Sequence, residues 1–197
     1  MRVNAKWMAA GIALVAGAAV GGLYLRERST ERPNHRTIMT DGDFELRAYP
    51  MLVVAETVAH GARDAALTEG FGILADYIGA RSRSGEKIAM TAPVIHDPAG
   101  EDGGWRTRFI MPGKWTRKTL PHPPGDVLIA EMAARRVAVL RFSGKADDRI
   151  LAANEEALRQ WISDKGLRAA GPAEHAYYSS PMVPGPLRHN ELWIPVR

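Results

Sequence analysis

The side chains able to do chemistry in this chain are limited in kind. Cysteine is absent from its 197 residues. That excludes thiol catalysis, disulfides, iron–sulfur clusters, Cys-rich zinc sites and thioether-linked cofactors. The six histidines, His35, His60, His96, His122, His175 and His189, are dispersed. None falls in an HExxH pair or another metal-ligand spacing, so no metal centre is expected. There is no nucleophile elbow, Walker loop or dinucleotide fingerprint. For acid–base work the candidates are Glu45 or Glu131 together with Tyr49. A carboxyl whose pKa is raised by burial can activate water, which is hydrolase chemistry. Strand alternation argues against this for Glu45, placing it on the solvent face opposite Phe44 and Leu46. The chain is therefore read as a binding protein rather than an enzyme.

Charge narrows the partners. The formal net charge is +4. Within residues 1–28, Arg2, Lys6, Arg26 and Arg28 against Glu27 account for +3, which leaves +1 for the rest. A nearly neutral body is a poor ligand for a phosphate backbone, and no nucleic-acid partner is expected. Arg81-Ser82-Arg83 with Lys87 is the local basic cluster, and it reads as a solvated turn.

The elements that must position these groups begin after an apolar leader. Trp7 through Leu25 is 19 residues without a charge, about the 20 needed to span a bilayer core. Ala16-Gly17-Ala18 offers a small-x-small cleavage site. Because the run stays apolar through Tyr24-Leu25, one membrane span with the domain outside the cytoplasm is favoured over a cleaved signal segment. Residues 26–41 have no hydrophobic period and read as a linker.

From Asp43 the pattern is strand-like. Phe44, Leu46 and Ala48 alternate with Glu45 and Arg47, and Met51–Ala55 reads as a buried strand. Leu67, Phe71, Leu74 and Ile78 recur at helical spacing, with Asp64 as a cap and Gly79 as the stop. Lys87–Val94 and Trp105–Met111 follow as strands around a loop over Asp97–Gly104. The order then repeats after the connector Pro112–Pro124. Val127–Met132 and Val137–Phe142 are strands, Asp147–Lys165 a helix, and Ala176–Ser179 and Leu192–Val196 strands. Glu45 precedes Val53 by eight residues, as Glu131 precedes Val139. An α+β domain over 42–197, built from a duplicated strand-strand-helix-strand-strand unit, follows.

Lys87-Ile88-Ala89-Met90-Thr91-Ala92-Pro93-Val94 resembles the SOUL haem-binding protein family. Phe44–Tyr49, Gly70–Ile78, Arg141–Gly144 and the segment Pro181–Pro195, with Leu187-Arg188-His189-Asn190-Glu191-Leu192-Trp193, are similar to the same family in the same order. The resemblance implies a distorted β-barrel flanked by two helices. It also implies non-covalent binding of haem or another tetrapyrrole, for carriage, buffering or sensing. The wider superfamily adds effector-binding domains and a few hydrolases as alternatives, and a ligand-free interaction module is a third.

Haem needs an apolar slot, cations for its propionates and often an axial ligand. Arg47, Arg63 and Lys87 are the candidate cations. Where some members of the family carry a histidine between the Arg and Tyr of the first strand, this chain has Ala48, which cannot coordinate iron. His60, just before the first helix, is the nearest substitute, and Met90 is a second candidate. Asn190, Glu191 and Trp193 are read as structural.

Overall fold

Each half of the chain completes the other half's sheet. The computed structural model describes residues 30–100, 103–180 and 182–197. The apolar run 7–25 lies outside the described residues; within them, no helix is long and apolar enough to cross a membrane. The strands are β1 (Arg36–Asp41), β2 (Phe44–Tyr49), β3 (Leu52–His60), β4 (Val94–Ala99), β5 (Gly104–Ile110), β6 (Leu128–Met132), β7 (Arg135–Ser143), β8 (Glu174–Tyr177) and β9 (His189–Val196). Helix α1 (Arg63–Ile78) follows β3, and α2 (Asp148–Asp164) follows β7.

The sheet order is β1-β2-β7-β9-β8-β4-β5-β3-β6, with every pairing antiparallel. Without β1 the order is symmetric about the β4–β8 seam, as a duplicated unit requires. Glu45 pairs with Val139 and Val53 with Glu131, so each unit's glutamate meets the other unit's valine. The two pairs differ by one residue in phase, which exchanges faces. Glu45 lies inside the curl at 7% exposure, whereas Glu131 is exposed on the outer side. This corrects the solvent-facing reading of Glu45.

The sheet curls, since Tyr49 near one end and Val54 near the other share a cluster with Ile95, Ile110, Val139 and Trp193. It forms a half-barrel rather than a closed barrel, because β1 and β6 are not paired to each other. The outer face carries both helices. Helix α2 seats Leu151, Leu158, Trp161 and Ile162 against Leu46, Ala138, Leu192 and Ile194. Full burial of one such aliphatic side chain stabilises by about 1.5–3 kcal/mol. Its start is capped by Asp147, whose Oδ1 accepts from the Ile150 amide at 2.9 Å.

Helix α1 differs from its sequence reading. Its sheet-facing residues include Ala66 and Gly70, while Phe71 is 43% exposed. Small residues let this helix approach closely: a Cβ on Gly70 would lie 2.4 Å from Thr107 Oγ1. Asp64 is not its cap, since Ala62 occupies that position without a side-chain hydrogen bond. Strand boundaries also move. Arg36–Asp41, within the expected linker, is β1. Residues 87–93 are irregular, so β4 starts at Val94 and runs to Ala99 through part of the expected loop.

Candidate ligand-binding site

Two clusters of polar side chains flank the sheet, one on each face. Inside the half-barrel, alternation on β2 and β9 aims Glu45, Arg47, Tyr49, His189, Glu191 and Trp193 inward. Arg47 Nε donates to Glu45 Oε2 at 2.7 Å. Its two terminal nitrogens donate to Glu191 at 2.9 and 3.1 Å. Glu191 also accepts from Trp193 Nε1 at 2.7 Å and the Tyr178 hydroxyl at 2.8 Å, and it contacts His189 Nε2 at 3.1 Å. Burial alone would push the Glu191 carboxyl up, but the bonds from His189, Arg47 and Trp193 outweigh it and hold the group at about 2. A second network joins Asp97 to Arg106 and Arg108, and Glu174 to Arg108 and Arg135. The chain's own residues lie over the first network: Arg32 sits 4.9 Å from the Tyr178 ring and His35 5.1 Å from the Tyr49 ring. Inside the half-barrel, the Arg47 and Glu191 charges are already matched to each other.

The outer face offers open valences. Helix α1 covers β3 and β5, α2 covers β7 and β9, and the β4–β8 seam lies between the two helices. On this seam His96 pairs directly with His175, and Val94 with Tyr177. His96 is 4% and His175 8% exposed. His96 Nδ1 lies 3.0 Å from Thr107 Oγ1, whereas His175 Nδ1 is buried without a hydrogen-bond partner. The His96 ring lies 5.5 Å from the Tyr177 ring, and the His175 ring 5.8 Å from Trp105. Arg63 closes the cluster. It donates to the Tyr177 hydroxyl at 2.8 Å and to Asp148 at 2.9 Å, so it ties the two helix starts together, and it lies 5.7 Å from the Trp105 ring. Burial, with the charge of His175 and Arg63, lowers His96 to about 3. Burial, then Arg63, lowers His175 to about 4. Both imidazoles are therefore neutral at physiological pH, each with a nitrogen lone pair available for a hydrogen bond or a metal.

The five residues singled out from sequence do not assemble into one site. Among the described residues none of them hydrogen-bonds or ion-pairs with another. Arg63 joins the histidine cluster. Arg47 is inside the half-barrel, buried at 4% exposure and consumed by Glu45 and Glu191 rather than set at a rim. His60 ends β3 and is exposed. Lys87 and Met90 are exposed on the segment between α1 and β4. Sequence reasoning passed over His96 and His175, which stand 79 residues apart in no motif. Their shared signal is position: each lies on the first strand after its unit's helix. Glu191, read from sequence as structural, has its carboxylate bonded to Arg47, Tyr178, His189 and Trp193.

The SOUL heme-binding protein family matches residues 30–195, and the chain belongs to it. No curated protein matches the chain. Among solved structures, the EcmrR C-terminal domain is similar with a TM-score of 0.61 at 12% identity, covering 78% of this chain and 96% of that one. A hydrolase from Listeria innocua is similar with a TM-score of 0.55 at 14% identity, covering 81% and 94%. EcmrR in a DNA complex is similar with a TM-score of 0.58 at 14% identity, covering 98% and 69%. At these identities the likeness is one of fold, and fold alone does not assign an activity.

Proposed function

We propose that this domain binds haem or a related tetrapyrrole non-covalently in the cleft between α1 and α2, over the β4–β8 seam. Membership of the SOUL family supports the ligand class. The observation that carries the location is the buried, unpartnered Nδ1 of His175 beside a second neutral histidine and a cation. An unmatched polar atom in a buried site costs about 1–3 kcal/mol, and a ligand that engages it removes that cost.

The residues fit the group. His175 would hold the iron through its imidazole nitrogen, Arg63 would pair with a propionate by charge-assisted hydrogen bonds, and Trp105 would supply apolar contact. When bound, haem supplies a coordination centre with strong visible absorbance. His96 stays held through Thr107 and keeps the neighbouring imidazole in a polar but uncharged setting. Arg63 must release Asp148 or Tyr177 to admit a ligand, so it acts as the latch of the cleft. Carriage, buffering or sensing is the role that the family's haem-binding character supports. The length of the uncharged run 7–25 supports tethering of the domain to a membrane.

A titration of the full chain with haem, followed by Soret absorbance, tests the reading. Saturation at one haem per chain is expected. Metal-free protoporphyrin should bind more weakly, because it lacks the iron that His175 engages.

A further inference from the structure

Strand β1 is exposed along its whole length and forms one open edge of the sheet. It contains no lysine or proline, the residues that ordinarily blunt an open edge. Its middle residues Ile38 and Met39 are apolar and exposed at 40% and 38%. Its sequence, Arg36-Thr37-Ile38-Met39-Thr40-Asp41, is complementary to itself when reversed. Antiparallel to a second copy, Arg36 would face Asp41, Thr37 would face Thr40, and Ile38 would face Met39.

A regular strand could not use this complementarity. Residues an odd number of positions apart point to opposite faces, whereas residues paired across an antiparallel two-fold must share one. Here the register slips between Thr37 and Met39. Arg36, Met39 and Asp41 lie opposite Ala48, Leu46 and Phe44, on the α2 side, while Thr37 and Thr40 lie opposite Arg47 and Glu45, on the inner side. The extra residue brings Arg36 and Asp41 onto one face and both threonines onto the other, as the two-fold requires. The charges are also available. Arg36 has no ion-pair partner among the described residues. Asp41 uses Oδ2 for Lys165 at 2.8 Å and Trp161 at 3.0 Å, and its Oδ1 has no partner among them.

We infer that β1 is a homodimer seam, at which a second copy of this chain adds its own β1 antiparallel and joins the two sheets. Such an isologous contact closes after two subunits. Two short strands bury less than the roughly 1,200 Å² of a stable complex, so the dimer is a weak one that forms at high protein concentration.

The absence of cysteine makes cross-linking clean. Full-length Thr37→Cys and Thr40→Cys chains are mixed under mild oxidation, in a detergent that accommodates the apolar run 7–25. The mixture should give at least ~10-fold more disulfide-linked dimer than either chain alone, since the pairing sets position 37 against position 40 and never against itself. Equal yields from the mixture and the separate chains would overturn the register. In sedimentation experiments Arg36→Asp should weaken dimerisation by about 10-fold or more, through two like-charge contacts. Adding Asp41→Arg should restore it, by exchanging the charges and keeping them complementary. A wild-type chain that remains monomeric at the highest concentration reached in sedimentation, together with no cross-linked dimer from the mixed cysteine chains, would overturn the seam itself.

Discussion

His96 and His175 face each other across the seam between the two repeated units, both buried and both held neutral, yet only His96 has a hydrogen-bonding partner. The asymmetry follows from their neighbours. His96 lies against Thr107 on β5. The corresponding neighbour of His175 on β9 is Leu192, which is apolar. The pseudo-two-fold thus places two imidazoles together and leaves one with an open valence.

The fit of α1 depends on Gly70. With a Cβ there 2.4 Å from Thr107 Oγ1, Gly70→Ala should destabilise the domain by about 1–3 kcal/mol through overpacking. Thr107 also holds His96, so the same change should broaden the His96 ring resonances. Urea denaturation and NMR of the variant check both.

The Arg47–Glu191 pair is a buried ion pair, with side-chain exposures of 5% and 2%. Removing one member strands a charge. Arg47→Met should cost about 3–5 kcal/mol. Arg47→Met with Glu191→Gln should cost less than the sum of the two single changes. A double-mutant cycle by chemical denaturation measures the difference.

Acid should destabilise the domain in two stages. In the unfolded chain both seam histidines titrate near the ordinary 6.5; in the fold they are lowered to about 3 and about 4. The unfolded state therefore binds more protons between these values. Their stabilising contribution is whole above 6.5 and falls away as pH drops through about 4 for His175 and about 3 for His96. Glu191, lowered from 4.5 to about 2, keeps its contribution above 4.5 and loses it as pH falls through 2. Replacing His96 and His175 with Gln should abolish the first stage and leave the second, as read from melting temperature against pH.

Much of the architecture was legible because it rests on local pattern. The helix Asp147–Lys165 could be read from the spacing of Leu151, Leu158, Trp161 and Ile162. The duplication could be read from two matching orders of elements. Reading failed where a partner element decided the outcome. Glu45 and Arg47 resemble the polar face of a half-exposed strand, but curling of the sheet buries them against Glu191, 144 positions from Arg47. Gly70 offers no hydrophobic signal, although it sets how closely α1 docks. β1 has no apolar alternation because both its faces are exposed. Of the proposed site, Arg63 was named among the candidate propionate cations. The histidines were not, because register alone brings them together.

The central claim is met most directly by comparing His175→Ala with His60→Ala in haem titrations of the full chain. The account expects His175→Ala to shift the Soret band and to weaken haem binding by at least ~10-fold. It expects that variant to leave protoporphyrin binding unchanged, and His60→Ala to match the wild type. Loss of the haem spectrum in His60→Ala with His175→Ala unaffected, or failure of the wild-type chain to bind either porphyrin saturably, would contradict it.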